Sequence, residues 1–209
     1  MKTINKVSKS KNAYTLLASI LFALGIFLFI NSCDNNYVPK PRGYFRIDIP
    51  EKNYISLDTN FPYKFEYPDY AEIHPDKHSP NEPFWINLEF SQFHGILHIS
   101  YKKINNNLIE YLEDSRTMVV KLIPKASSID DELILNKKSN VFGLKYSING
   151  IGAASPFQFF VTDSVNHFLR GALYFNVIPN NDSLAPVIDF IKEDIEHLIE
   201  TFEWKSLPD

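Results

Sequence analysis

The sequence predicts an α+β fold: a single domain in which two amphipathic helices pack on a mostly antiparallel sheet of about six to seven strands. Three observations support this prediction. Several segments alternate apolar and polar residues with the period of a half-buried strand, and short turns separate them. Two longer segments place apolar residues at helical spacing. The chain has 209 residues, 44% of them hydrophobic and 14% aromatic, which suffices for one domain with its own core.

The first 32 residues are typical of an export signal. A basic segment, residues 1–12, precedes an uncharged apolar run over residues 13–30. Ser32 lies directly before Cys33, with Ile30 two positions further back, and this resembles the bacterial lipobox, where a peptidase cleaves before the cysteine and lipid is attached to it. We therefore predict a lipoprotein signal peptide over residues 1–32 and lipidation of Cys33.

An uncleaved single-pass anchor is the alternative, because an apolar run of 18 residues approaches the length that spans a bilayer. Lipidation accounts for more: it explains why the only cysteine lies at the boundary and why residues 34–36 turn polar. Several acyl chains anchor firmly, since each buried methylene contributes about 0.8 kcal/mol. We therefore predict that the lipid on Cys33 tethers the chain to a membrane and that the chain does not span this membrane.

Residues 33–50 are predicted to form the lipidated N-terminus, a short stalk and the first strand. Pro39 and Pro41 favour an extended, polyproline-like spacer. Basic residues of the stalk either contact anionic headgroups or form a solvated linker. Residues 43–49 alternate polar and apolar side chains, which predicts a strand that ends at Pro50.

The globular domain is expected over residues 51–205, followed by a C-terminal tail at residues 206–209. Alternation of apolar and polar residues marks its strands, and turn-forming residues separate them. These strands are predicted over residues 63–67, 84–90, 93–101, 132–135, 141–148, 156–162 and 168–178.

Two helices complete the predicted domain. The first follows Asn107 as cap, with Glu110 in the capping-box position, and Pro124 ends it. The second runs from about Leu184 to Trp204 with Ser183 as cap, which places Pro186 at the third helical position, where no intrahelical hydrogen bond is lost. On this helix, the acidic residues 193, 194 and 196 are expected to face solvent.

The charge balance disfavours nucleic acid as a partner. The formal net charge is −4, and the only charged residues before Cys33 are four lysines. Without them, 17 basic residues stand against 25 acidic ones, or −8 for the rest of the chain. A phosphate-binding protein needs a basic face. The single cysteine also excludes disulfide scaffolds and cysteine-based zinc sites.

Metal-binding motifs are weak. His94 and His98 lie on a predicted strand, where residues four apart are roughly 13 Å from each other, too far to share one ion. His74 and His78 lie in a predicted loop containing proline, where a weak metal site is conceivable, but zinc normally takes three or four well-placed ligands. We therefore predict no metal and no cofactor.

Catalytic motifs are also weak. Asp130, Asp131 and Glu132 are candidates for acid–base work in glycoside hydrolysis, but neighbouring carboxylates in a loop usually form a solvated charge run. The glycine-containing segment 149–156 lacks both the ending of a phosphate-binding loop and the Gly-x-Ser-x-Gly elbow of serine hydrolases. We predict no catalytic residue and expect a protein that is not an enzyme.

The last pair of predicted strands supplies aromatic side chains to both sheet faces, as with Phe159 and Phe160 or Tyr174 and Phe175. A helix or a partner protein is expected to cover one of these faces. Aromatic residues accompanied by an arginine, such as Arg170, are typical of the centres of protein interfaces.

The string PKPRGYFRI, residues 39–47, shortly after the lipobox cysteine resembles the opening of the gliding-motility lipoprotein D (GldD) family of Bacteroidota. SPFQFFVTDS (155–164), HFLRGALYFN (167–176) and LAPVIDFI (184–191) resemble its carboxy-terminal half. The resemblance implies a lipoprotein needed for gliding, a motility system tied to type IX protein secretion. The resemblance implies a role for one residue of this sequence, Cys33, and implies no catalytic residue. The layout also loosely resembles the PsbP/Mog1-like α/β/α sandwich, an analogy that carries no function.

Together these features predict a membrane-anchored, periplasm-facing lipoprotein of the cell envelope that is a non-enzymatic component or assembly factor of the gliding and secretion machinery. Other envelope proteins of that machinery are its expected partners, with Arg42, Tyr44 and Arg46 as candidate contact residues. Two alternatives stay open: an envelope hydrolase acting on cell-wall or lipid substrates, and a carrier of a small apolar ligand between sheet and helix. The sequence leaves open whether the inner or the outer membrane holds the lipid.

Overall fold

The structure is a computed structural model that describes residues 18–22, 47–57 and 59–205. The chain divides into two units, Met1–Phe45 and Arg46–Asp209. In the first unit, residues 18–22 are helical. Among the described residues, no helix combines the length and the apolar character needed to cross a bilayer. Cys33, Arg42, Tyr44 and Arg46 lie outside the described residues, as do most of the signal peptide and the stalk.

The second unit contains a seven-stranded sheet in which every neighbouring pair is antiparallel, in the order β4-β5-β6-β10-β9-β8-β7. Two small sheets, β1-β3 and β11-β2, lie beside it in the chain's second unit. The strands are β1 (Tyr54–Ser56), β2 (Tyr63–Lys64), β3 (Glu66–Pro68), β4 (Glu72–Pro75), β5 (Ile86–Phe90), β6 (Gly95–Lys103), β7 (Ser128–Asn136), β8 (Val141–Asn149), β9 (Phe157–Thr162), β10 (His167–Phe175) and β11 (Glu203–Trp204).

Two α-helices, α1 (Leu108–Val120) and α2 (Asn181–Glu200), pack on opposite faces of the large sheet. Successive residues of β9 mark the two faces. Phe159 belongs to the main core with the apolar side of α2, whereas Phe160 packs in a second cluster beneath α1. All six residues of β9 are buried. The predicted α+β class and the antiparallel sheet of six to seven strands are confirmed, and helices of this same chain cover Phe159 on one face and Phe160 on the other.

The first predicted strand is wrong in its described part, because residues 47–50 form no strand and β1 begins at Tyr54. An alternating segment becomes a strand only where a neighbour accepts its hydrogen bonds. Here the Asp48 carbonyl accepts a hydrogen bond from the Gln92 side chain instead, at 2.5 Å. The strand predicted over residues 63–67 is divided between β2 and β3, which pair in different small sheets.

Helix α1 begins where it was predicted to begin but ends earlier, and α2 both begins and ends earlier than predicted. Asn107 precedes α1 as expected, but the capping box is not formed, because its Oδ1 accepts the Asn105 backbone N–H at 2.8 Å. The helix ends at Val120, four residues before Pro124. Helix α2 begins at Asn181 instead of Leu184, so Pro186 lies inside it. The Asn181 amide donates to the carbonyls of Gly150 (2.9 Å) and Ala153 (3.0 Å), which holds this early start in place.

Candidate functional site

A polar cluster occupies the α1 face of the large sheet, beyond the residues on which α1 packs. Register places Arg170 of β10 opposite Ser100 and Phe160, so its side chain shares the face of Phe160. Beyond Phe160 and Phe168, that face carries several polar side chains, with Ala172 among them. We call the following five residues the Arg170 cluster: Asn87, His98, Gln158, Arg170 and Tyr174.

Arg170 is the charged centre of this cluster and is only partly exposed. Its Nη2 donates to Gln158 Oε1 at 2.6 Å, and Gln158 is only 2% exposed. Burial lowers the pKa of Arg170, and the neighbouring Tyr174 hydroxyl opposes that shift. A guanidinium stays protonated in such a setting.

No carboxylate among the described residues forms an ion pair with Arg170. Burying a charge without an opposite charge is costly, and an arginine pairs best with a carboxylate or another oxyanion. The cluster therefore has the electrostatic character of a binding site for an anionic group.

His98 forms the second part of the cluster. Its Nδ1 hydrogen-bonds Asn87 Oδ1 at 2.7 Å, and its ring meets Tyr174 edge to face at 5.6 Å between centroids. Burial lowers the pKa of His98, Asp76 opposes the shift, and His78 and Arg170 add to it. The neutral imidazole is favoured next to the Arg170 cation, so Arg170 provides the positive charge of the cluster at neutral pH.

The carboxylates considered for acid–base catalysis all lie on a strand, so the loop prediction is wrong for Asp130 and Asp131, whereas Glu132 lies in the strand predicted over residues 132–135. Asp130, Asp131 and Glu132 belong to β7 and are exposed. Alternation along a strand points Asp131 to the face opposite the other two. Asp130 accepts hydrogen bonds from Ser128 and Asn149, and Glu132 pairs with Lys145 at 3.1 Å. These contacts are those of solvated surface carboxylates.

His74 also lies on a strand, β4, and not in the predicted loop. Its Nε2 is 3.2 Å from Glu72, and the side chain is 42% exposed. β4 and β7 are the two edges of the sheet, so His74 and Asp130 are separated by six strand spacings, roughly 29 Å. Within residues 18–22, 47–57 and 59–205, no three His, Cys, Asp or Glu side chains are grouped so as to hold a metal ion. No observation here favours a hydrolase.

The space between the sheet and α2 is relevant to the ligand-carrier alternative. Phe157, Phe159, Leu169, Ile195 and Leu198 meet there, each at most 1% exposed. These aromatic and aliphatic side chains pack against one another as an ordinary core. No observation there favours a carrier of an apolar ligand.

A buried carboxylate that the sequence prediction missed fixes the entry of the chain into the domain. Asp194 of α2, expected to face solvent, is 1% exposed. Its Oδ1 accepts the Tyr54 hydroxyl at 2.8 Å and lies 3.1 Å from Lys52 Nζ, while its Oδ2 accepts the Tyr70 hydroxyl. The spacing from Ile191 and Leu198, three and four residues away, could have placed Asp194 on the buried side of the helix.

Aromatic stacking supports the same contact. The Tyr54 ring stacks on His197 with 3.7 Å between centroids, and Lys52 Nζ lies 4.3 Å above the Phe190 ring. Burial raises the pKa of Tyr54 and of Tyr70, and the hydrogen bond to Asp194 raises each further. Both tyrosines therefore remain protonated donors. Lys52, Tyr54 and Tyr70, which follow the predicted stalk in the sequence, are in this way held to α2.

Comparisons with known proteins find a matching family and a similar solved structure. The sequence model of a family described as gliding motility lipoprotein GldD matches residues 34–204. No curated protein matches the chain. Among solved structures, the solution structure of cyanobacterial PsbP (CyanoP) from Synechocystis sp. PCC 6803 is similar at 11% identity and a TM-score of 0.43, over 75% of this chain and 95% of that one.

Proposed function

The chain belongs to the gliding motility lipoprotein GldD family, and from this premise we propose that it is a lipid-anchored, non-enzymatic component or assembly factor of the gliding motility and type IX secretion machinery. The observation that carries the proposal is the extent of the family match, which begins at the residue after Cys33 and runs through the folded domain to residue 204. The match covers the folded domain and the residues from 34 onward, and we infer that the domain acts in the cell envelope together with the predicted anchor at Cys33.

The anchor is an acylated Cys33, exposed by removal of residues 1–32, on a domain that faces the periplasm. Cys33→Ala is expected to leave an uncleaved precursor that takes up no labelled palmitate, because both processing steps require the cysteine. Ser32→Ala, which keeps a small residue before the cysteine, is the matched control and is expected to be processed and labelled. Normal processing of Cys33→Ala would contradict the anchor.

The domain acts by binding and not by turnover. The candidate acidic residues and His74 lie on opposite edges of the sheet, exposed to solvent, which does not suit an active site. The Arg170 cluster, in contrast, suits docking: it combines a partly buried cation, aromatic side chains and hydrogen-bonding groups. The partner is an envelope protein of the same machinery that presents a carboxylate to Arg170. Arg42, Tyr44 and Arg46, which lie outside the described residues, are further candidate contact residues for these partners.

Crosslinking in living cells tests the docking surface. Wild-type protein is expected to capture other envelope proteins of the motility machinery. Arg170→Gln should reduce that capture about tenfold, because a buried charged pair across an interface is strongly coupled. Arg116→Gln, on the exposed side of α1, removes the same charge elsewhere and should leave capture unchanged. A triple replacement of Arg42, Tyr44 and Arg46 by alanine should also weaken it.

Each variant must be compared at equal abundance and equal thermal stability, so that unfolding is not mistaken for lost binding. Capture that is unchanged in Arg170→Gln would remove the cluster from the proposed interface. Capture unchanged in the triple variant would remove the stalk.

A further inference from the structure

The strand β7 forms one edge of the large sheet. Over all its nine residues, Ser128–Asn136, it pairs with β8 on one side only, and no described strand lies on its other side. Leu133 and Leu135 project from it and are 66% and 63% exposed. A long edge strand with exposed apolar side chains is a ready template for pairing with another strand.

The sequence of this edge is complementary to itself in the antiparallel direction. Residues 130–138 read DDELILNKK: three acidic residues, three apolar ones, an asparagine and two lysines. When two copies are placed antiparallel about Ile134, acidic residues of each copy meet lysines of the other, and apolar residues meet apolar ones. The pairs are Ile134 with Ile134, Leu133 with Leu135, Glu132 with Asn136, Asp131 with Lys137 and Asp130 with Lys138.

Neighbouring registers lack this match. Centring the pair on Leu133 would place Asp131 opposite Leu135 and Glu132 opposite Ile134, which sets charges against apolar side chains. Centring it on Leu135 would place Leu133 opposite Lys137. Because cross-strand pairs determine which register is stable, the Ile134-centred register is favoured.

Both faces of the strand suit this arrangement. Leu133 and Leu135 lie opposite Leu144 and Phe142 of β8, so they continue the apolar α1 face of the sheet. On the other face, a groove of about 610 Å³ runs beside the strand, and Ile134 of β7 and Ile199 of α2 contribute its apolar lining. A second strand would cover apolar surface on both faces at once.

Lys137 and Lys138 are available for this contact. They lie in the turn after β7, which is held by a 3.2 Å hydrogen bond from the Ser139 backbone N–H to Asn136 Oδ1. Both lysines are exposed, and neither forms an ion pair with another described residue. Among the described residues, the acidic end of the strand has one cationic partner, Lys145, which pairs with Glu132.

We propose that two copies of this chain associate through β7, antiparallel and with Ile134 on the two-fold axis, so that the two large sheets become continuous. A two-fold interface requires a surface that is complementary to itself, and the charge order of residues 130–138 satisfies that requirement. This inference does not depend on the function proposed above.

Charge reversal in the full-length lipoprotein tests the pairing. Two copies that carry different affinity tags are expressed together and extracted in detergent. One copy is purified through its tag, and the amount of the other copy that is recovered with it is measured. The acid-reversed variant, Asp130→Lys with Asp131→Lys, would place lysine opposite lysine. The base-reversed variant, Lys137→Asp with Lys138→Asp, would place aspartate opposite aspartate. Each variant paired with itself should lose at least about tenfold in recovery, because four attractive cross-strand pairs become repulsive.

The mixed combination is the decisive arm. When the acid-reversed chain carries one tag and the base-reversed chain the other, every charged pair is again attractive, and recovery should return to the wild-type value. Glu113→Lys with Asp114→Lys, an equally exposed acidic pair on α1, is the matched control and should leave recovery unchanged. Because Asp130 also bonds Ser128 and Asn149, Asp131→Lys and Lys137→Asp form a second set that leaves those hydrogen bonds intact.

Three results would overturn the proposal: wild-type copies that do not recover each other, reversed variants that recover themselves as well as wild type does, or a mixed pair that fails to recover although both chains unfold at the wild-type temperature. The last result would also be expected if a different protein occupied β7.

Discussion

Asp194→Asn is the sharpest test of how the chain is fastened to its domain. The substitution keeps the shape of the side chain and removes its negative charge. In the folded protein, the buried Asp194 carboxylate accepts hydrogen bonds from two tyrosine hydroxyls and lies 3.1 Å from Lys52 Nζ. The single carbonyl oxygen of asparagine can accept only some of these hydrogen bonds. Its amide group is a donor and would face the tyrosine hydroxyl or lysine that donated to the carboxylate.

The magnitude follows from what is lost. A hydrogen bond to a charged group contributes about 1.5–3 kcal/mol, and removal of one partner from a buried pair costs about 3–5 kcal/mol. Lys52 keeps a second carboxylate, Glu193, at 2.8 Å, which reduces the loss. We therefore expect the free energy of unfolding to fall by about 2–4 kcal/mol. With a slope of about 2 kcal/mol per molar urea, the unfolding midpoint should fall by about 1–2 M.

Urea unfolding followed by the fluorescence of Trp85 and Trp204 measures this change. Asp189→Asn, on the exposed side of the same helix, is the matched control and should change the free energy by less than about 0.5 kcal/mol. Amide exchange should show that β1 loses protection first, because Tyr54 holds it to Asp194. A midpoint within about 0.2 M of wild type in Asp194→Asn would refute the reasoning.

Two further predictions concern the sheet. Burial lowers the pKa of His98 in the folded protein, so the histidine of the unfolded chain is protonated first as the pH falls below about 6.5. The free energy of unfolding should therefore decline between about pH 7 and pH 5. His98→Gln should flatten that decline and the exposed His94→Asn should not, which urea midpoints measured at each pH will test. Gly171→Ala should destabilise the domain by about 1–3 kcal/mol in thermal unfolding, because a Cβ at that position would lie 2.2 Å from the Phe159 ring. Gly152→Ala is the control and should stay close to wild type, because the nearest atom to its Cβ would be a lysine methylene at 3.6 Å. Equal melting temperatures of Gly171→Ala and wild type would contradict the expected clash.

Strict alternation of apolar and polar residues was sufficient to predict the central strands. In β5 and β6, apolar residues fall on the α2 face at every second position, so their hairpin could be placed from the sequence. The edge strands were harder to predict. β7 begins with polar residues on both faces, because an edge strand is solvated there, and its predicted start at Glu132 is therefore four residues late. β4 contains a histidine, a proline and a glutamate among four residues and was assigned to a loop.

The candidate site could be predicted only in part. The aromatic residues and the arginine of the last two strands indicated an interface, but the contact between Arg170 and Gln158 depends on the register of β9 and β10, which no local pattern encodes. Asp194 was missed for a different reason. Its charge suggested a solvent-facing position, whereas its spacing from Ile191 and Leu198 placed it on the apolar side, and two tyrosines and a lysine compensate its burial.

The positions of the two polar sites have a mechanical consequence for a tethered protein. Asp194 holds Lys52, Tyr54 and Tyr70 to α2 on one face of the sheet, whereas Arg170 lies on the other face. A partner that docks on the Arg170 cluster therefore does not compete with the contacts that hold the chain entering the domain. In the tethered protein proposed above, tension from the anchor would reach the Asp48–Gln92 hydrogen bond and then the Lys52, Tyr54 and Asp194 contacts before it reached the sheet, whose core is packed on both sides. The separation of the two sites is compatible with the tethered, partner-binding role proposed above.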